Sequence, residues 1–138
     1  MKKKILIVDD EPGSLFLLGA LLNANGLEAI PAANGREALA KARLDPPDLI
    51  VSDILMPVMD GYTLCREWKR DHALKSIPFV FYTAEYTKSK ERALAMSLAP
   101  DRFISKPQEP RVLIRLLTKV LKQKPSEPKV SGTPKEET

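Results

Sequence analysis

Cysteine is nearly missing from this 138-residue chain. Cys65 stands alone, which excludes an intramolecular disulfide and with it a small secreted scaffold held by cystines. Long apolar runs are missing too: none approaches the roughly 20 residues of a membrane span. Met1-Lys2-Lys3-Lys4 has the charge of a leader, but the apolar stretch behind it, Ile5 to Val8, runs straight into Asp9-Asp10 and is too short for a signal peptide. A cytoplasmic protein that does not touch a membrane is expected. Aromatics are few and scattered, one Trp, three Tyr and four Phe, and the net charge is only +4 from 22 basic and 18 acidic residues. A nucleic-acid binder usually carries a basic stripe interleaved with aromatics. The one dense basic cluster here, Lys2-Lys3-Lys4, reads as a solvated flank before a buried strand, so no direct nucleic-acid contact is expected.

What is present is the balance of a soluble globular domain, 43% apolar and 29% charged, at a length that suits one domain. Two kinds of apolar segment alternate. Short β-branched or aromatic runs occur at Ile5–Val8, Leu27–Ile30, Leu49–Val51, Ile77–Tyr82 and Phe103–Ile104. Several are apolar without alternation, as strands covered on both faces should be. Between them the period is helical: Leu15, Leu18, Gly19 and Leu22 follow i, i+3, i+4, i+7, and so do Leu113, Leu116, Leu117 and Val120. Asn34 with Glu37 suggests an N-cap and a partial capping box, Pro12 suits a first helical turn, and Asp60 suits an N-cap. Strict β-α alternation predicts a parallel sheet with right-handed crossovers and helices on both faces. Residues 123–138 hold three Pro, one Gly, three Lys, three Glu and one large aliphatic, Val130. That stretch reads as a disordered tail or linker after a domain over 3–122.

In open parallel sheets, ligands sit beyond the carboxyl ends of the strands. After the first strand come Asp9, Asp10 and Glu11; after the third, Ser52-Asp53; after the fourth, Thr83-Ala84-Glu85; after the fifth, Lys106-Pro107. The second offers nothing. With the second strand at an edge, the set converges on three carboxylates, one hydroxyl and one ammonium. Clustered carboxylates repel unless a cation sits among them, and an all-oxygen set with open positions favours Mg²⁺. A carboxylate can also be a nucleophile that forms an aspartyl-phosphate, with metal and ammonium neutralising the phosphoryl oxygens. Asp53, emerging singly at the middle of the sheet, is the candidate nucleophile. Asp9 and Asp10 are the candidate metal ligands, Asp10 the more direct. Lys106 and the Thr83 hydroxyl would meet the phosphoryl oxygens. No second base is placed to process the group further.

These residues fall in segments that together resemble the receiver domain of two-component response regulators. The pieces are Ile5-Leu6-Ile7-Val8-Asp9-Asp10-Glu11, Asp48 through Ser52 with Asp53-Ile54-Leu55-Met56-Pro57-Val58-Met59-Asp60-Gly61, Tyr82-Thr83-Ala84, and Phe103-Ile104-Ser105-Lys106-Pro107. The resemblance implies a flavodoxin-like doubly wound (βα)5 α/β fold with a five-stranded parallel sheet in the order 2-1-3-4-5. It implies that Asp53 accepts a phosphoryl group from the phosphohistidine of a histidine kinase or phosphotransfer domain, or from a small acyl phosphate. Asp9, Asp10, Asp53 and the backbone carbonyl of Leu55 would hold Mg²⁺. Lys106 would pair with the phosphoryl group across a Lys106-Pro107 bond that is often cis in relatives. Thr83 would move toward the phosphate and Phe103 swing in behind it. The fourth helix, fifth strand and fifth helix would then face an output domain, a downstream protein partner or a second copy. Such a protein is no enzyme toward other substrates; it catalyses only its own phosphorylation and dephosphorylation.

Three positions depart from the family pattern. Ala99-Pro100 stands where Gly-Ala is usual, Gln108 where Phe is common, and Leu55 where a residue facing the attacking water often lies. Blander readings remain: Asp9 and Asp10 as helix caps, Thr83 and Lys106 as structural residues, Phe103 as a core aromatic without switching duty. A receiver-like interaction module with an unused acidic site is the rival of another class. A hydrolytic aspartyl phosphatase is disfavoured, because Leu55 occupies the place of the second Asp that such an enzyme needs. His72 lacks neighbouring ligands and reads as a surface residue, Cys65 as an inert buried thiol.

Overall fold

The computed structural model describes residues 2–84 and 89–123. The stretch assigned above as a tail therefore lies, from 124 onward, outside the described residues. Five strands and five helices alternate: β1 (Lys4–Val8), α1 (Pro12–Ala24), β2 (Glu28–Ala32), α2 (Gly35–Leu44), β3 (Leu49–Ser52), α3 (Gly61–Arg70), β4 (Phe79–Thr83), α4 (Ser89–Ser97), β5 (Arg102–Ser105) and α5 (Pro110–Lys122). All strand pairs are parallel and the sheet runs β2-β1-β3-β4-β5, the doubly wound order expected.

The side-chain period of two divides each strand between two cores. Ile5 and Ile7, Leu49 and Val51, Val80 and Ile104 face α1 and α5, whose Leu22, Leu113, Leu117 and Val120 close that side. Leu6 and Val8, Ile50, Phe79 and Phe81 face the opposite way, under Ala38 and Leu39 of α2, Leu64, Cys65 and Trp68 of α3, and Ala95 of α4. β1 and β3 are buried on both faces, which is why their sequences are apolar without a break.

The helix starts follow from local chemistry. Asn34 Oδ1 accepts the Glu37 N–H at 2.9 Å, and Glu37 Oε1 reaches back to the Ala33 N–H at 2.8 Å. Asp60 Oδ1 accepts the Thr63 N–H at 2.8 Å. At α1 the cap is Glu11, whose Oε1 accepts from Gly13 and Ser14 at 3.0 and 3.4 Å; Asp9 and Asp10 are thereby released from capping. α1 holds no charged residue, and Phe16 and Leu17 on it are 75% and 70% exposed. No helix among the described residues is long and apolar enough to cross a membrane.

Candidate functional site

Four of the candidate residues arrive at one end of the sheet because register puts them there. β1 and β3 run in step, Val8 opposite Ser52, and the Asp53 N–H donates to Val8 O at 2.9 Å. Asp9 and Asp53 thus leave adjacent strands side by side. On the far side Thr83 pairs with Ser105, and the Lys106 N–H donates to Thr83 O at 2.9 Å. The Lys106-Pro107 bond is cis, the form the resemblance implied.

The three charged side chains meet. Lys106 Nζ donates to Asp9 Oδ2 at 2.8 Å and to Asp53 Oδ2 at 3.2 Å. The outer oxygens are also held: Asp9 Oδ1 accepts the Glu11 N–H at 3.0 Å and Asp53 Oδ1 the Ile54 N–H at 2.7 Å. Asp9 is buried, and the Asp53 and Lys106 side chains keep only 16% and 20% exposure. Burial works to depress the Lys106 pKa, but the Asp9 hydrogen bond and the charges of Asp53 and Asp9 outweigh it, and the pKa is raised above the usual lysine value. The ammonium also stands 5.4 Å from the centroid of the Tyr82 ring, a cation–π distance.

The loop behind Asp53 is fixed by close backbone packing. Gly61 opens α3 directly against Asp53 and Ile54. Its N–H donates to Ile54 O at 2.7 Å, and a Cβ there would come within 2.7 Å of Ile54 Cα. Between them the Met59 N–H folds back onto Pro57 O at 2.7 Å, around Val58 at φ 70°. That is a tight three-residue turn with a left-handed, β-branched centre, a costly conformation. Leu55 is exposed.

The remaining candidates are placed as follows. Asp10 is exposed and does not join Asp9 and Asp53. Among the described residues no three acidic, His or Cys side chains close around a common point. Thr83 is buried at the end of β4. Phe103 is half-buried opposite Phe81, the two rings edge to face with centroids 6.2 Å apart. Cys65 is buried, which pushes its thiol up to about 11 and keeps it protonated and unreactive. Tyr82 and Gly61 stood in the segments that carry the resemblance, but sequence reasoning gave neither a role at the site. The place of Tyr82 beside Thr83 and the Asp-Gly step that opens α3 were the signals present.

The donor set is compatible with a hard divalent cation by its chemistry: Asp9 and Asp53 bring two carboxylates together, now bridged by Lys106, and Mg²⁺ commonly takes one or two carboxylates while keeping its waters. A cleft of about 470 Å³ opens beside the trio, lined by Asp9, Asp53 and Lys106 at one end and by leucines of α1 and α5 beyond.

Comparison with known proteins gives a consistent result. A family model described as response regulator receiver domain matches residues 5–118. The chain is 37% identical over 111 residues to the alkaline phosphatase synthesis transcriptional regulatory protein PhoP of Bacillus subtilis, a match covering 80% of this chain and 45% of that protein. It spans about half the length, or less, of the curated relatives it matches. Among solved structures it is similar to the signal receiver domain of a signal transduction histidine kinase from Syntrophus aciditrophicus, with a TM-score of 0.82, 37% identity, and coverage of 86% of this chain and 89% of that one. It is also similar to the receiver domain of a sensor histidine kinase from Pseudomonas aeruginosa, described with a magnesium ion coordinated in its active site cleft. There the TM-score is 0.83 at 25% identity, over 89% of this chain and all of the other.

Proposed function

The chain belongs to the family of response regulator receiver domains, and on that premise we propose that Asp53 takes up a phosphoryl group and that its charge switches the surface formed by α4, β5 and α5. The donor is the phosphohistidine of a histidine kinase or phosphotransfer domain, or a small acyl phosphate. The observation that carries this reading is the Lys106 ammonium held between Asp9 and Asp53 at 2.8 and 3.2 Å.

The residues divide the work. Asp53 Oδ2 attacks phosphorus as the bond to the leaving group breaks. Its other oxygen is oriented by the Ile54 N–H, so the nucleophile is aimed before the donor arrives. Lys106, already charged and largely desolvated, transfers its hydrogen bond from Asp53 to a phosphoryl oxygen. Preorganised charge of this kind carries most of phosphoryl-transfer catalysis. Asp9, Asp10, Asp53 and the Leu55 carbonyl would hold Mg²⁺, which supplies further neutralisation of the phosphoryl charge. The product carries about −1.5 to −2 charge at one point. The Thr83 hydroxyl follows that charge, and the Phe103 ring fills the space behind it. The altered α4-β5-α5 face then meets an output domain, a protein partner or a second copy. The protein works in the cytoplasm and acts on no substrate but itself.

Acetyl phosphate with Mg²⁺ should add the mass of one phosphoryl group to the wild-type chain and none to Asp53→Asn. A variant that still gains it sinks the assignment. A second reading, an interaction module whose acidic site is unused, is favoured by the exposed Asp10. It predicts no phosphoryl uptake and no change in Trp68 fluorescence on adding Mg²⁺.

A further inference from the structure

The cleft beside the site is larger than a phosphoryl group needs, and its chemistry is different. Its volume of about 470 Å³ lies in the range of small-molecule sites. One end is Asp9, Asp53 and Lys106; away from them the walls are mostly aliphatic, with Leu17, Leu18 and Leu21 from α1 and Leu113 from α5, beside the Tyr82 ring. Leu17 remains 70% exposed, so the protein's own described residues do not cover this wall. α1 also carries no charged residue along its whole length, which leaves nothing on that wall to repel an apolar group. With Mg²⁺ held there to offset the two carboxylates beside Lys106, that end suits an anionic head, and the aliphatic trough continuous with it suits a hydrocarbon tail.

We propose that the cleft is the leaving-group subsite for a small-molecule phosphodonor, an acyl phosphate whose acyl chain is a medium-length hydrocarbon. The inference rests on Asp53 being the phosphoryl acceptor. The Asp53 carboxylate forms a bond to phosphorus, the bond from phosphorus to the acyl oxygen breaks, and the acyl group leaves as a free carboxylate with the electron pair. No proton or further reactant is required. The chain of the leaving acid lies along Leu17, Leu18 and Leu21 while the phosphoryl group lies at Lys106.

The test compares acetyl phosphate with hexanoyl phosphate in Mg²⁺ buffer. Phosphorylation of Asp53 is followed by intact mass and corrected for each donor's spontaneous hydrolysis. The expected result is a rate constant per donor concentration about 10-fold higher for hexanoyl phosphate, the gain from burying about two of the four added methylenes. Leu17→Asp, at an exposed position that does not threaten the fold, should bring the ratio of the two donors close to one. A second readout needs no turnover: hexylphosphonate should shift the methyl resonances of Leu17 and Leu21, and methylphosphonate should not. Equal rates for the two donors, or a preference that survives in Leu17→Asp, overturn the subsite while leaving Asp53 as acceptor. A cleft used only by a protein donor gives that same absence of preference. If neither donor modifies Asp53, the subsite is overturned, and transfer from a phosphohistidine donor decides the acceptor assignment separately.

Discussion

The two faces of the sheet are built from different materials. The face under α1 and α5 is aliphatic, closed by Ile5, Ile7, Leu49, Val51, Val80 and Ile104, and it opens into a cleft at the charged end. The face under α2, α3 and α4 adds a run of aromatic rings to its aliphatic residues. Trp68, Phe79, Phe81 and Phe103 form a chain of edge-to-face contacts with centroid separations of 5.9, 5.2 and 6.2 Å, and Tyr62 joins it at Phe81. The Trp68 indole N–H is satisfied by Ile77 O at 3.1 Å. The difference separates two tasks on one sheet. The aliphatic face leaves room next to Asp53, where the proposed donor would approach. On the other face the ring chain ends at Phe103, the residue expected to respond to Thr83. Close-packed rings favour discrete alternatives over gradual deformation, which would suit the side on which the switch is proposed.

The strongest way to break this contrast is to cut neighbouring side chains on β4 that point to opposite faces. Phe79→Ala removes the ring that links Trp68 to Phe81 and should lower stability by about 3–5 kcal/mol. Val80→Ala, on the aliphatic face, should cost roughly 2 kcal/mol. Urea unfolding followed by Trp68 fluorescence measures both; equal shifts in midpoint would mean that the ring contributes less than its larger buried area demands, and would break the contrast.

A smaller effect tests the charged end of the aliphatic face. Lys106→Met leaves Asp9 buried without its cation and should cost about 1–3 kcal/mol at neutral pH. The Lys106 pKa is raised in the folded protein. Its stabilisation is therefore fully present below the ordinary lysine value of about 10.4 and is lost as pH rises through the higher folded value. The gap between wild type and variant should stay level from neutral pH to about 10 and narrow above it. A gap that closes near pH 7 would show that Lys106 does not hold its charge against Asp9 and Asp53.

Much of the fold and of the candidate site was legible in the sequence, and the parts that were not have physical causes. The unbroken apolar runs announced β1 and β3, because strands buried on both faces leave no place for polar residues. The second strand was expected at Leu27–Ile30 and lies at Glu28–Ala32. It pairs only with β1, and at a sheet edge the missing N–H of Pro31 is tolerated. The fourth was expected from Ile77 and begins at Phe79, because the Ile77 N–H is taken by a turn to Leu74 O. For the site, sequence order could assemble the carboxylates but not orient them. Asp9 and Asp10 are adjacent, and neighbours on extended chain point apart, so Asp9 turns to Lys106 while Asp10 stays exposed. The bridging role of Lys106 depends on contacts 97 and 53 residues away in the chain, which no local pattern encodes.

The smallest expected effect lies where α4 ends, and it explains one departure from the family pattern. The Ala99 N–H donates to Met96 O at 3.0 Å, and Ala99 itself has φ 55°, the left-handed position after a helix that Gly usually fills. A Cβ there costs roughly 1–2 kcal/mol, and the following Pro100 further disfavours anything but extended backbone at 99. The conformation survives because the next residue is anchored: Asp101 accepts the Phe79 N–H at 2.7 Å, and its own N–H donates to Phe79 O at 2.8 Å. The aromatic face thus holds its helix end in place against local preference. Ala99→Gly removes the Cβ clash but enlarges the freedom of the unfolded chain, which offsets about 0.4–1 kcal/mol of the gain. A net stabilisation of about 0.5–1 kcal/mol should appear as a higher urea midpoint with an unchanged slope, and phosphoryl uptake at Asp53, on the other side of the sheet's division of labour, should be unaffected. A lower midpoint would show that the left-handed turn at Ala99 is not the conformation the protein holds in solution.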